Sequence, residues 1–132
     1  MIEVRGDDVV LTVDIRYPVS FTAEQVTELV RHGMNGYKVE AVGGKAPIYT
    51  DRDGAIIRTL SDVYRAHTGD TAEPFVMGGG TYARAMPKIV AFGPMFPDSP
   101  ETEHQKNEYM REKDMISARK IYEDAIEKLA NL

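Results

Sequence analysis

The stretch Val9-Val10-Leu11-Thr12-Val13-Asp14-Ile15-Arg16, closed by Tyr17-Pro18 and followed by Phe21-Thr22-Ala23-Glu24-Gln25-Val26, decides the reading of the fold. Val9, Leu11, Val13 and Ile15 alternate with Val10, Thr12, Asp14 and Arg16, the period of a half-buried strand with Arg16 on the more polar face. A helix is predicted next. Thr22 and Gln25 have the spacing of a capping box, Phe21 and Val26 stand at staple positions, Gly33 suits the C-terminal cap, and Val26, Leu29 and Val30 form the expected buried stripe. Tyr37, Val39 and Ala41 alternate again before Gly43-Gly44, which completes a strand-helix-strand unit of a small α/β layer.

Downstream, Ile56, Leu60, Val63 and His67 are spaced as one face of a helix over about residues 53 to 67, stopped by Gly69. The polar segment Gly69 to Pro74 contains Gly and Pro and is the expected boundary, dividing the chain into residues 1–69 and 70–132. Phe75 to Met77 and Lys88 to Phe92 read as short buried strands around the run Gly78-Gly79-Gly80-Thr81-Tyr82-Ala83-Arg84. A long C-terminal helix carries Met115, Ala118, Tyr122, Ala125 and Leu129, with Arg119 and Glu123, and Lys120 and Asp124, spaced for surface ion pairs. The fold class expected is mixed α/β, of the α+β kind.

The 132 residues suffice for one modest core, and 42% hydrophobic content is ordinary for a globular chain. A net charge of -5 with no basic cluster argues against a nucleic-acid partner. The absence of cysteine excludes disulfides and thiolate metal sites and fits a reducing compartment. No apolar run is long enough to cross a membrane, and no basic-then-apolar start reads as a secretory signal, so a cytoplasmic address is expected.

Three successive glycines permit positive φ and close backbone approach, so their N–H groups can grip an anion; a plain structural bend is the competing reading. The Lys and Ser/Thr of a nucleotide-binding loop do not follow, which makes a carboxylate a better fit than a phosphate. One imidazole, His104, stands between Glu103 and Gln105; alone it reads as a solvated side chain near a helix start rather than a ligand, since catalytic zinc takes three or more protein ligands. Glu108 either orients His104 or caps the following helix, or stands on a solvated face. His32, at a helix end, and His67, at the end of an apolar stripe, read as structural.

Taken together, Gly78-Gly79-Gly80-Thr81-Tyr82-Ala83-Arg84, Ala91-Phe92-Gly93-Pro94-Met95-Phe96-Pro97 and His104-Gln105-Lys106-Asn107-Glu108-Tyr109, in that order, resemble the C-terminal part of the M20 family dipeptidases, nearest the bacterial Xaa-His, carnosinase-like branch. Asp14-Ile15-Arg16-Tyr17-Pro18 and Ala46-Pro47-Ile48-Tyr49 resemble the same family. The resemblance implies that residues 1–69 are part of a substrate-binding lid and residues 70–132 the last segment of a split catalytic domain. It also implies a dipeptide substrate and two zinc ions, with manganese or cobalt as alternatives. His104 would bind one ion, Arg16, by itself a surface ion-pair former, would hold the substrate carboxylate with its planar fork, and Gly79, Gly80 and Thr81 would cradle the carboxylate or the scissile carbonyl, with Arg84 either helping or simply pairing with an acid.

The family's remaining metal ligands and general base lie upstream of anything present in this chain. No catalytic residue is therefore expected within it, and isolated activity is expected to be absent, with either the N-terminal catalytic half or self-association completing the assembly. Met1 falls where the family has mid-lid sequence, which suggests an artificial or truncated start. A non-catalytic ligand-binding or self-associating α/β module is the alternative reading.

Overall fold

The computed structural model describes residues 1–79, 81–86, 89–93 and 95–132. The class is mixed α/β, with a two-stranded antiparallel sheet and three α-helices among the described residues. By contacts the chain divides into two compact units, Met1–Tyr49 and Thr50–Leu132.

In the first unit, β1 (Ile2–Arg5) and β2 (Asp8–Leu11) form a hairpin in the register Ile2 with Leu11, Glu3 with Val10, Val4 with Val9 and Arg5 with Asp8. Gly6 makes the turn at φ 64, a conformation an L side chain rarely adopts. Thr12 and Met1 exchange backbone hydrogen bonds of 2.9 Å beyond the last ladder pair.

The ladder stops at Leu11, so the strand expected to reach Arg16 is shorter. Alternation selects a face, but a strand also needs a neighbour for its N–H and C=O groups, and β1 extends only to Ile2, opposite Leu11. The second strand expected at Tyr37 to Ala41 is not formed. There Lys38 and Glu40 pair with each other at 2.8 Å on the surface.

α1 (Ala23–Gly33) starts where its cap predicts. The Thr22 hydroxyl accepts from Gln25 N at 3.2 Å, and Gln25 Oε1 accepts from Thr22 N at 2.8 Å, so two otherwise orphaned donors are satisfied reciprocally. Gly33 is the last helical residue rather than the cap, which is Met34 at φ -105. No residue of α1 is buried: Val26 and Val30 are half-buried, and Leu29 is 60% exposed.

The second unit contains a core. α2 (Ala55–Thr68) enters through a tight turn in which Gly54 N donates to Asp51 O at 3.1 Å, and a Cβ on Gly54 would lie 3.0 Å from that same oxygen. It ends as expected at Gly69, left-handed at φ 70, whose N–H closes on Arg65 O at 2.8 Å. α3 (Glu112–Leu129) packs against α2. Leu60 and Val63 meet Ile121 and Ala125, with Tyr64, Val90, Phe92, Phe96 and Leu129 around them.

Phe92 meets Tyr122 edge to face at 5.9 Å, and the Tyr122 hydroxyl donates to Phe92 O at 3.2 Å, which ties the 89–93 segment to α3. His67 Nε2 and Asp124 Oδ2 lie 3.0 Å apart, a contact that joins α2 to α3. Arg119 and Glu123 form the expected pair at 3.8 Å, whereas Asp124 faces Lys128 and His67.

Two expectations need correction here. The buried face of α3 is Asp114, Ala118, Ile121 and Ala125, whereas Met115 is 58% exposed and Tyr122 half-buried. The apolar periodicity marked the helix but set its stripe one residue off, because Asp114 takes a core position and Met115 does not. Phe75 to Met77 form no strand, and Val76 is 98% exposed. No strand forms at 89–92 either, and Lys88 lies outside the described residues. Short apolar runs do not distinguish strand from exposed connection unless a partner strand is present.

Candidate functional site

The glycine run leads into a short 3-10 turn at Tyr82–Arg84. The Thr81 hydroxyl accepts from Ala83 N at 3.1 Å, and Thr81 O accepts from Arg84 N at 3.1 Å, so Thr81 acts as the cap of this turn. Ala83 is buried, while Thr81, Tyr82 and Arg84 are exposed. Neither Gly78 nor Gly79 adopts positive φ, and a Cβ at either would meet nothing within 4 Å. Gly80 lies outside the described residues. Arg84 forms no ion pair with an acid among the described residues. Arg16, in the first unit, is exposed and lies beyond the end of β2.

His104 sits in a loop, not in a helix; α3 begins only at Glu112. Its backbone is left-handed at φ 61, and Asn107 follows at φ 65, the two non-glycine residues in that region among those described. Left-handed backbone costs a side-chain-bearing residue conformational energy and persists where surroundings impose it.

The surroundings are a set of nested closures. The Thr102 hydroxyl donates to Tyr109 O at 2.9 Å and accepts from Tyr109 N at 3.3 Å. Gln105 N reaches Thr102 O and Glu108 N reaches Gln105 O, each at 3.2 Å, and Gln105 Nε2 donates to Glu101 O at 2.9 Å. Innermost, His104 N donates to Glu108 Oε2 at 3.2 Å. Glu108 therefore holds the backbone beneath the imidazole rather than capping α3, and His104 is exposed.

A charged cluster that the sequence reading missed joins the two ends of this segment. Asp114 is 5% exposed and accepts from Arg111 Nε at 2.8 Å and Nη2 at 3.2 Å, and from Ser99 Oγ at 3.1 Å. Asp98 meets Lys113 at 2.9 Å and Arg111 at 3.2 Å. The Arg111 guanidinium, then the Ser99 hydroxyl, hold the Asp114 carboxyl below its ordinary value, and Asp98 is lowered chiefly by Lys113. The available signal was the three-residue spacing of Arg111 and Asp114 at the N-terminal end of a helical stripe.

The open groove lined by Thr59, Asp62, Asp124, Glu127, Lys128 and Asn131 carries three acids against one lysine, an excess that disfavours a substrate carboxylate there. Among the described residues, no three His, Asp or Glu side chains gather as a metal site. No helix is long and apolar enough to cross a membrane among them.

With this geometry in hand, comparison with known proteins assigns the class. The model of peptidase family M20/M25/M40 matches residues 3–128, and the chain belongs to that family. Three relatives carry the name "Putative dipeptidase": one from Staphylococcus epidermidis is 43% identical over 86% of this chain, one from Staphylococcus saprophyticus 39% over 89%, and one from Staphylococcus aureus strain USA300 40% over 86%. The chain spans about a quarter of the length of each, 25%. No solved structure matches it significantly.

Members of this family are generally metal-dependent. The described residues do not by themselves fit a metal pair: His104 offers one exposed imidazole, and the Glu108 carboxylate beside it already accepts from the loop backbone. No catalytic step follows from this donor set.

Proposed function

We propose that this chain is the C-terminal part of an M20 metallodipeptidase, with residues 1–69 belonging to its substrate-binding lid and residues 70–132 to its catalytic domain. The observation that carries the reading is the family match over residues 3–128, together with the quarter-length coverage of relatives named as dipeptidases. The ions this reading implies are two zincs, with manganese or cobalt as substitutes, and most of their ligands and the general base would lie outside this chain. Such a centre supplies an activated water for attack on the dipeptide bond.

The chain's own contribution is binding. His104 would donate one imidazole, and its left-handed loop position supports a functional constraint at that residue. Arg16 would grip the substrate carboxylate with two parallel N–H donors, and Gly79, Gly80, Thr81 and Arg84 would contact the carboxylate or the scissile carbonyl. A cytoplasmic address belongs to this reading, and the absence of cysteine fits it without requiring it.

The test is a chimera in which this chain replaces the matching quarter of the Staphylococcus epidermidis relative. The chimera is expected to hydrolyse dipeptides with zinc or manganese, and the isolated chain is expected not to. His104→Ala in the chimera should reduce kcat/KM by more than the roughly 10–100-fold seen when groups supporting a metal ligand are lost. Turnover by the isolated chain, or a fully active His104→Ala chimera, would overturn the proposal.

A further inference from the structure

Asp114 occupies the first position of the buried stripe Asp114, Ala118, Ile121 and Ala125, and it is the one buried charged residue among those described. An apolar residue at such a position is commonly as stable as a buried ion pair, or more so, because both charges must be stripped of water. An acidic side chain in the first turn of α3 suits the helix N-terminus, but that alone does not require Asp114 to be buried. The geometry does.

Asp114 reaches back to Ser99, whose hydroxyl also accepts from Phe96 N at 3.1 Å, while Ser99 N closes the same turn on Phe96 O at 2.9 Å. Arg111 and Lys113 reach Asp98, the neighbour of Ser99. Asp98 and Ser99 on one side, and Arg111, Lys113 and Asp114 on the other, thus close the base of the segment that carries His104. Above that base lies the reciprocal Thr102–Tyr109 closure, and above it the bond between His104 N and Glu108. Each outer closure shortens the free loop that the next must close, so the base lowers the entropy lost in forming the inner two.

We propose that this clasp is the device that positions His104, with Asp114 as its buried anchor. The proposal rests on the reading of His104 as a functional residue, and it makes Asp114 a positioning residue acting through Ser99 and Arg111. The turn at Phe96–Ser99 is in turn fixed to the core, since Phe96 packs against the Leu60, Val63, Ile121 and Ala125 cluster. The imidazole's backbone is thereby referenced to the α2–α3 core despite standing in an exposed loop.

The test uses the double variant Asp98→Ala/Ser99→Ala, which removes the far side of the clasp but leaves Asp114 paired with Arg111, so that α3 keeps its buried charge satisfied. By NMR of the full chain, the Cα shifts reporting left-handed His104 and Asn107 are expected to collapse toward averaged values. Amide exchange at His104 and Tyr109 should accelerate about tenfold or more, while Leu60, Val63 and Ile121 methyl signals stay in place. In the chimera, the same variant should weaken zinc binding about 10–100-fold, as for other groups that orient a ligand. Unchanged His104 and Asn107 signals would overturn the clasp. Unchanged zinc affinity in the His104→Ala chimera would instead overturn the ligand reading, whatever the loop signals do.

Discussion

The two units of this chain solve the same problem unequally. In Met1–Tyr49 no described residue is buried, and α1 rests on local devices: a reciprocal cap, an acidic Glu24 in its first turn and a basic Arg31 and His32 in its last. In Thr50–Leu132, α2 and α3 enclose Leu60, Val63, Ile121 and Ala125, and Val63 is fully buried. Helix caps and ion pairs at exposed positions contribute about 1 kcal/mol or less each, whereas burying a large apolar side chain contributes about 1.5–3 kcal/mol. A side-chain N-cap therefore does not separate the units, since α1 has one and neither α2 nor α3 does; the difference lies in what packs against them.

The largest expected break of this contrast is Leu60→Ala. Leu60 is 7% exposed, and its truncation should destabilise the second unit by about 2–5 kcal/mol, whereas Leu29→Ala in α1, at 60% exposure, should change stability by no more than about 0.5 kcal/mol. Urea unfolding followed by residue-resolved NMR would separate the two; comparable losses would show that α1 is packed as α2 is.

Acidification should come next, acting on the second unit. Asp98, Asp114 and Asp124 are each held below the ordinary aspartate value of 3.8, by Lys113, Arg111 and His67 respectively as first cause, and Glu73 is lowered by Arg52. A depressed folded value means that the unfolded chain binds protons first. The stabilisation is therefore complete above the unfolded values and is lost as pH falls through 3.8 toward the lower folded ones. Thermal unfolding of the second unit between pH 6 and pH 3 should show Tm falling with pH, and a flat Tm would remove these carboxylates from its stability.

Thr22→Ala should cost α1 about 1 kcal/mol by leaving Gln25 N without its acceptor, read as lost helical Cα shifts over residues 23–33 with the α2–α3 core unmoved. The smallest effect sharpens the contrast between two glycines. Gly33→Ala, in helical backbone with open space around a Cβ, should stabilise by about 0.4–1 kcal/mol; Gly69→Ala, equally open but at φ 70, should destabilise by about 1 kcal/mol. Equal signs for the two would contradict the cap assignments.

Much of this was legible beforehand where the causes are local. The Thr22–Gln25 cap, the Gly69 stop and the α2 stripe through Leu60 and Val63 each depend on residues a few positions apart, and each formed where spacing placed it. The strands were read less well. Val13 to Arg16 and Tyr37 to Ala41 alternate correctly, yet β2 ends at Leu11 and residues 37–41 are not a strand, because ladder partners come from elsewhere in the chain. Of the candidate residues, His104 was legible as an isolated imidazole and through its family motif, but its left-handed backbone and its bond to Glu108 were not.

By itself the sequence determined the three helices, the Thr22–Gln25 and Gly69 caps, the mixed α/β class and, through its motifs, the family to which the chain belongs. Only the tertiary structure decided which face of α3 is buried, that Asp114 rather than Met115 turns inward, and that Ser99 and Arg111 meet it there. Helix formation and capping depend on neighbours within one turn, while the burial of a carboxylate depends on partners up to fifteen positions away whose approach no local periodicity encodes.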